Sequence, residues 1–180
     1  MVQRCQRGDT EAYEEIVRKY QKKLFNIAYR MTGDYHEAAD VVQDAFIAVY
    51  RNIRGFQGRS RFSTWMYTIV INVSRNRMRQ VRKRSFHEHF SLDNPVETEK
   101  GQIMIEQPSG DLSALERLEK RERGQKVQEC MSTLDNEFRE VIVLRDIQGF
   151  SYDEISEMLN IAEGTVKSRL YRAREKVKEC

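Results

Sequence analysis

The chain has 180 residues, of which 39% are apolar and 33% are charged, with only two prolines and nine glycines. So few turn-forming residues exclude a β-sandwich or a collagen-like chain. No run of about 18 apolar residues occurs, and the first residues lack the apolar core of a secretory signal. We therefore expect a cytoplasmic protein that does not insert into a membrane.

The net charge is only +3, but it is distributed unevenly along the chain. Residues 1–84 carry 17 basic and 8 acidic side chains, a net charge of +9, and residues 164–180 carry +4. Residues 85–111 and residues 112–163 each carry −5. Two basic regions separated by acidic ones predict a polyanionic partner that is bound at two places.

Apolar residues recur at helical spacing through both parts of the chain. Before residue 85 they predict three or four helices, including helices over 10–31, from the cap Asp34 to Gly55, and over 63–84. Residues 85–111 contain both prolines and no sustained period, which predicts a flexible acidic linker. The remaining helices are predicted over 112–132, 136–147, 151–159 and 163–178. The fold is therefore predicted to be all-α, with two small helical domains, 1–84 and 112–180, joined by that linker.

The last two predicted helices form a helix-turn-helix pattern. Ser151 and Glu154 make a capping box that starts one helix, and Asn160 marks a tight turn before the next. On a helical wheel, the face of the second helix opposite its apolar row carries polar side chains that can reach phosphates and base edges in the DNA major groove: Lys167, Ser168, Tyr171 and Arg172. The alternative is an ordinary solvated helix, but the capped helix and turn favour DNA binding.

The predicted helix over 63–84 carries a second polar stripe. It consists of Asn72, Arg75, Asn76, Arg79 and Lys83, in which asparagines can read bases and basic side chains can neutralise phosphates. Six of the ten residues 75–84 are basic, so we expect nucleic-acid binding that weakens as salt rises.

Aromatic and basic residues alternate just before this stripe. Such a mixture is typical of sites that hold unstacked bases of a single strand. Each aromatic residue could instead belong to the core, but the combination favours a site where a duplex is opened. The residues concerned are Phe56, Arg59, Arg61, Phe62, Trp65 and Tyr67.

The second predicted helix carries an acidic strip of Glu37, Asp40 and Asp44, with Gln43 beside it. One interpretation is an ordinary solvated face. The other is a docking surface for a basic protein partner, because an acidic strip within a basic domain would not favour DNA.

The sequence contains no motif typical of catalysis, nucleotide binding or metal binding. Cys5, Cys130 and Cys180 lie far apart without a C-x-x-C spacing, so we expect reduced thiols rather than disulfides. The histidines show no metal-ligand pattern either. We therefore expect a protein that is not an enzyme and needs no metal or other cofactor.

Taken together, these segments resemble the extracytoplasmic-function sigma factors, the smallest class of the bacterial sigma-70 family. Residues 34–79, from "DYHEAADVVQDAF" to "SRNRMR", resemble the domain that binds core RNA polymerase and reads the minus-ten promoter element. Residues 134–178, which include "SYDEISEMLN" and "GTVKSRLYRAREKVK", resemble the domain that reads the minus-thirty-five element. The resemblance implies an initiation factor that directs core RNA polymerase to specific promoters and assists their opening.

The resemblance also implies partners for individual residues. The β′ clamp helices and the β flap of the polymerase are expected protein partners, as is an anti-sigma factor, and Asp40, Gln43, Asp44 and Phe46 fall at clamp-helix positions. The loop 56–64 is expected to capture a flipped-out base. Minus-ten contacts are expected from Phe56, Arg59, Ser60, Arg61, Phe62, Trp65, Asn72, Arg75, Asn76 and Arg79. Minus-thirty-five contacts are expected from Thr165, Lys167, Ser168, Arg169, Tyr171 and Arg172.

The chain departs from the family pattern in the turn, where many relatives have proline and this chain has Ala162 and Glu163. Two other functions are also compatible with the patterns. One is a plain helix-turn-helix regulator, which would bind a palindromic site as a dimer. The other is an RNA-binding or ribosome-associated factor, for which the basic run 75–84 would suffice. Co-purification with core polymerase, followed by a footprint on duplex DNA, discriminates among the three.

Overall fold

The computed structural model describes residues 1–88 and 114–180, with side chains described for 1–84 and 122–180. Within those ranges it contains helices and no strand, which confirms the all-α prediction. A 3-10 turn (Ile53–Gly55) follows α3, and a π turn (Val143–Ile147) continues α6. The helices are α1 (Val2–Gln6), α2 (Thr10–Thr32), α3 (Tyr35–Asn52), α4 (Phe62–Glu88), α5 (Ala114–Thr133), α6 (Asn136–Ile142), α7 (Tyr152–Leu159) and α8 (Glu163–Lys178).

The predicted linker, 85–111, falls mostly outside the described residues. Its first four residues differ from the prediction, because α4 continues to Glu88 instead of ending at Arg84. No glycine or proline lies between these positions to stop the helix.

In the first domain, α2, α3 and α4 pack around one apolar core. Asp9 begins α2 by accepting a hydrogen bond from the Ala12 amide at 2.9 Å. Gly33 ends it with φ of 80°, a left-handed conformation in which a side chain would be strained. The three helices then bury apolar rows against one another, including Ile16, Leu24, Ile27, Val41, Val49, Met66 and Val70.

In the second domain, α6, the π turn, α7 and α8 enclose a smaller core. Both hydrogen bonds of the predicted capping box are present: the Ser151 hydroxyl accepts from the Glu154 amide, and the Glu154 carboxylate accepts from the Ser151 amide. Asn160 ends α7 in the left-handed region, with φ of 53°. The core residues include Val141, Leu144, Ile155, Val166, Leu170 and Ala173.

The expectation of reduced thiols is wrong for two of the three cysteines. Cys130 and Cys180 form a disulfide, with their Cα atoms 5.8 Å apart, whereas Cys5 is a free, buried thiol. The bonded cysteines are separated by 50 positions and meet because the chain after α5 folds back towards it. Linear spacing could not reveal that proximity.

The two domains pack against each other in the described residues. Arg139 of α6 is only 5% exposed, and its guanidinium donates to the carbonyl oxygens of Met31 at 2.6 Å, Ser132 at 2.7 Å and Leu134 at 3.0 Å. Met31 belongs to the first domain, so this buried cation joins both domains through backbone oxygens.

Aromatic side chains form a second contact between the domains. The ring centroids of Tyr67 on α4 and Phe150 before α7 are 5.0 Å apart. The Lys23 ammonium lies 5.2 Å from the Tyr67 centroid and 4.6 Å from the Phe150 centroid. The two rings and the Lys23 ammonium thus form aromatic and cation–π contacts at the boundary between the domains.

Candidate nucleic-acid and protein interfaces

The helix-turn-helix consists of α7, the three residues 160–162, and α8. No side chain caps α8, but the Ala162 carbonyl accepts hydrogen bonds from the amides of Thr165 at 2.8 Å and Val166 at 3.1 Å. The helix therefore begins at Glu163, as predicted, although the turn before it contains no proline. Its apolar row is buried, and its opposite face exposes Lys167, Ser168, Tyr171 and Arg172.

The environment of Lys167 is shaped by an acid and an aromatic ring. Its ammonium lies 2.5 Å from a Glu163 carboxylate oxygen and 5.4 Å from the centroid of Tyr152 on α7. The hydrogen bond to Glu163 is the main reason that the pKa of Lys167 is raised and that of Glu163 is lowered. Because both groups stay charged, Glu163 offsets part of the positive charge of this face.

Two other residues predicted to contact DNA lie away from the centre of that face. The Arg169 guanidinium is 2.7 Å from Glu137 of α6, and its side chain is 26% exposed. Thr165 is half-buried at the start of the helix. The structure therefore brings four of the six predicted residues together on one exposed surface and places Arg169 and Thr165 at its edge.

The predicted minus-ten stripe lies along α4. Asn72, Asn76 and Arg79 are exposed, and Arg79 donates to the Asn76 side-chain oxygen. Arg75 is different, because its guanidinium forms two hydrogen bonds to the carboxylate of Glu140 on α6. These hydrogen bonds are the leading cause of the raised pKa of Arg75.

The predicted aromatic site is a cluster of three partly exposed rings. The Phe56 and Trp65 centroids are 5.1 Å apart, Phe56 and Phe62 are 5.4 Å apart, and Phe62 and Trp65 are 5.7 Å apart. Tyr67 does not belong to it, because it is 5% exposed and faces the second domain.

Three polar residues in and beside the loop complete the predicted base-capture site. Arg59 is exposed and Ser60 is half-buried. The Arg61 side chain is 83% exposed and lies 3.6 Å from Glu154 of α7. The rings therefore pack with one another while basic groups stand next to them.

The acidic strip lies on α3, with Asp40, Gln43 and Asp44 exposed and Phe46 half-buried. Arg77 of α4 donates to Glu37 and, at 2.6 Å, to Asp40. Part of the acidic charge is therefore neutralised within the domain.

An apolar groove beside this strip was not predicted from the sequence. Most of its lining is aromatic or aliphatic, from Tyr13 and Val17 of α2 and Phe46, Ile47 and Tyr50 of α3, and Gln43 and Arg51 of α3 complete it. Ile47 is 41% exposed and Tyr50 is 54% exposed. The signal in the sequence is a pair of large apolar residues on the outer side of α3, where periodicity would place polar ones.

The described residues contain neither a metal-ligand cluster nor a candidate membrane-spanning helix. None of its His, Cys, Asp and Glu residues form a group that could hold a metal ion. Within the same ranges, no helix combines the length and apolar character needed to cross a membrane.

Fold and surface define a two-domain helical protein with a helix-turn-helix in its second domain. The sequence matches the family "Sigma-70 region 2" over residues 16–84 and the family "Sigma-70, region 4" over residues 124–177. Several relatives that span nearly the whole chain are extracytoplasmic-function (ECF) sigma factors. SigW of Bacillus subtilis (strain 168) is 36% identical over 99% of this chain and 93% of its own length. The ECF sigma-E factor of Escherichia coli (strain K12) is 33% identical over 98% of this chain and 90% of its own length.

Two solved structures share the fold. CnrH, in complex with the cytosolic domain of CnrY, has a TM-score of 0.69 at 24% identity and covers 99% of this chain and 92% of its own. RpoE of Bartonella quintana, in complex with the anti-sigma factor NepR, has a TM-score of 0.70 at 23% identity, covering 94% and 96%. The chain belongs to the extracytoplasmic-function sigma factors of the sigma-70 family, a family of transcription initiation factors rather than enzymes.

Proposed function

We propose that this chain binds core RNA polymerase in the cytoplasm, directs it to specific promoters and assists their opening. The observation that carries the proposal is that each domain presents its own polar helical surface. One is the exposed face of α8 in the helix-turn-helix, and the other is the stripe on α4 beside the aromatic cluster. Two separate surfaces fit two promoter elements, whereas a plain helix-turn-helix regulator needs only one.

The first experiment tests the function as a whole. The full chain is mixed with core polymerase, the complex is purified, and its footprint on duplex promoter DNA is measured. We expect a stable complex that protects two separated elements. Binding to DNA as a dimer without polymerase would favour a plain regulator, and binding only to RNA would favour a ribosome-associated factor.

We assign reading of the minus-thirty-five element to α8. Arg172 is exposed on the face that also carries Ser168 and Tyr171, a position from which a guanidinium can donate to guanine. Arg172→Ala should cost about 1–3 kcal/mol in binding to that element and should relax its specificity. Lys178→Ala is the matched control, because it removes the same charge from the last residue of α8. It should weaken binding without changing base preference, and unchanged discrimination by Arg172→Ala would contradict the assignment.

We assign the minus-ten element to α4 and the aromatic cluster. Asn72 and Asn76 have amide groups that both donate and accept, while Phe56, Phe62 and Trp65 provide surfaces on which an unstacked base can rest. Asn76→Ala should reduce discrimination among minus-ten variants in transcription by the reconstituted holoenzyme. Discrimination at the minus-thirty-five element should stay unchanged in the same assay.

We assign docking on the polymerase to α3. Gln43 and Phe46 line the apolar groove, and the exposed Asp40 and Asp44 lie on the same helix. A partner surface with both basic and apolar side chains would therefore meet matching charge and apolar area. Asp44→Arg should weaken polymerase binding in a pull-down while leaving DNA binding by the second domain intact. Glu14→Arg, on an exposed acid of α2, is the control for charge alone. Equal polymerase affinity of Asp44→Arg and the unaltered chain would remove this assignment.

An anti-sigma factor is a further proposed partner. Support comes from the RpoE structure of the same fold, which was solved in complex with the anti-sigma factor NepR. A partner bound to the α3 surface would compete with polymerase, so a competition pull-down with Asp44→Arg tests whether the two share it.

A further inference from the structure

The short helix α1 makes a specific contact with the turn that precedes the aromatic cluster. The Gln6 amide nitrogen donates to the carbonyl oxygen of Ile53 at 3.1 Å and to that of Phe56 at 2.9 Å. Both hydrogens of one side-chain amide are thereby used. The two carbonyls lie at the two ends of the 3-10 turn that follows α3, and the Ile53 carbonyl also accepts a hydrogen bond from the Phe56 amide at 3.1 Å. Gln6 therefore bridges the two ends of this turn from a distant part of the chain.

The backbone that carries Gln6 is itself held in place. Cys5 is 6% exposed and packs into the core. The Arg4 guanidinium lies 2.8 Å from Asp9, which also caps α2, and the Arg4 carbonyl accepts from the Asp9 amide at 3.1 Å. These contacts fix α1 to the start of α2. The hydrogen bonds of Gln6 therefore hold the turn at a fixed position relative to α2.

Phe56 is both the residue that Gln6 holds and a member of the aromatic cluster. Its ring lies against Trp65 and Phe62, so the position of the Phe56 backbone sets the position of this ring within the cluster. We propose that Gln6 is a positioning residue for base capture, fixing the Ile53 and Phe56 carbonyls so that the cluster is presented to an unstacked base. The inference rests on the proposed minus-ten function. The family match begins at residue 16, so it does not include Gln6.

The test compares promoter opening by holoenzymes reconstituted with core polymerase and full-length variants. Opening is followed by the fluorescence of 2-aminopurine placed in the minus-ten element. Gln6→Ala removes both hydrogen bonds, and Gln6→Glu keeps the shape but supplies no donor. Both should slow opening of duplex DNA roughly tenfold, the size expected for losing two modest hydrogen bonds. Gln3→Ala, on the exposed side of α1, is the matched control and should open DNA normally.

A pre-opened template separates positioning from a general structural role. If Gln6 positions the cluster for strand opening, transcription from a template with an unpaired minus-ten element should be nearly equal for all variants. Equal loss on duplex and pre-opened templates would overturn the inference, as would normal opening by both Gln6 variants. Phe56→Ala distinguishes a failure of the Gln6 inference from a failure of the proposed base capture. If Phe56→Ala also opens DNA normally, the proposed base capture fails. If only the Gln6 variants open DNA normally, the Gln6 inference alone fails.

An independent observation concerns the contact between the domains. Arg75, on the predicted minus-ten stripe, is bound by two hydrogen bonds to Glu140 of the second domain, the longer of them 2.5 Å. The Glu140 side chain is 3% exposed and that of Arg75 is 30% exposed. A carboxylate that binds a guanidinium through two oxygens offers it the geometry that a DNA phosphate would offer. Arg75 cannot neutralise a phosphate while it holds this partner.

We infer that Glu140 is the group that competes with DNA for Arg75, so Arg75 can reach a promoter phosphate only after this ion pair has broken. The inference rests on the proposed role of Arg75. Glu140→Gln keeps the side-chain volume and removes the charge. We expect the free chain to become more extended in small-angle X-ray scattering and to bind a single-stranded minus-ten oligonucleotide at least tenfold more tightly, since a half-buried guanidinium deprived of its carboxylate is better hydrated in the open form.

Three further variants make this test decisive. Glu137→Gln, whose acid pairs with Arg169 within the second domain, should change neither the shape of the chain nor its binding of the minus-ten oligonucleotide. The charge exchange Arg75→Glu with Glu140→Arg should restore the compact shape without DNA binding, which distinguishes closure from misfolding. Glu140→Gln that stays compact and binds DNA no more tightly would overturn the inference. If Arg75→Gln leaves minus-ten transcription by the holoenzyme unchanged, the proposed role of Arg75 fails instead.

Discussion

Breaking the disulfide between Cys130 and Cys180 should lower the stability of the second domain. The bond joins positions 50 residues apart, and in the chain-entropy treatment a closed loop of this length stabilises the folded state by about 4 kcal/mol. The loss should fall on the second domain, because both cysteines belong to it. A reducing environment favours the dithiol, so the comparison begins with protein oxidised by a small disulfide reagent.

The assay is unfolding by guanidinium chloride with and without dithiothreitol, followed by far-ultraviolet circular dichroism and by tryptophan fluorescence. Trp65 is the single tryptophan of the chain and lies in the first domain, so its fluorescence reports on that domain separately. Reduction should shift the dichroism transition strongly and the fluorescence transition less. Cys5→Ser retains the bond and should respond to dithiothreitol as the unaltered chain does. Three reactive thiols in the oxidised, unfolded protein, or a change below about 1 kcal/mol, would refute the reasoning.

Three other predictions concern groups whose partners are visible in the structure. Arg139→Met should destabilise the protein by about 3 kcal/mol in thermal unfolding, because it leaves buried carbonyls such as that of Met31 without this donor. Arg172→Met, at an exposed position, is the control, and a loss below about 1 kcal/mol for Arg139→Met would contradict this reasoning. Ser151→Ala should cost about 1 kcal/mol and speed amide exchange in the first turn of α7, whereas equal exchange at Glu154 would show that the cap contributes little. Burial raises the pKa of Tyr67 to about 12, above the value of about 10 in the unfolded chain, so the free energy of unfolding should hold steady below pH 10 and fall as pH rises towards 12. Alkaline unfolding of Tyr67→Phe should show a smaller fall, and an identical pH profile would contradict the assignment.

Much of the helical framework is predictable because its signals are local. The caps at Asp34 and Ser151 act on amides three residues away, and Gly33 ends α2 through its own φ angle. The outward face of α8 follows from apolar residues that recur every three to four positions, so the sequence alone places Lys167 and Arg172 on the exposed side of the helix. These features require no knowledge of which helices meet.

The boundary between the domains could not be predicted in the same way. Arg75 and Asn76 both look like nucleic-acid contacts in the sequence, yet Arg75 holds Glu140, 65 positions away, whereas Asn76 is exposed. Arg169 belongs to the same basic helix as Arg172 but turns to Glu137. A charged side chain binds any suitable group that the fold brings near, and its own sequence neighbours do not indicate which.

The sequence by itself determined the helices, their polar faces and the family to which the chain belongs, because periodicity and caps operate within one or two turns. The tertiary structure alone decided that Cys130 meets Cys180, that Gln6 binds the carbonyls of Ile53 and Phe56, and that Glu140 binds Arg75. Each of these contacts joins segments that are remote along the chain and adjacent only after the helices have packed.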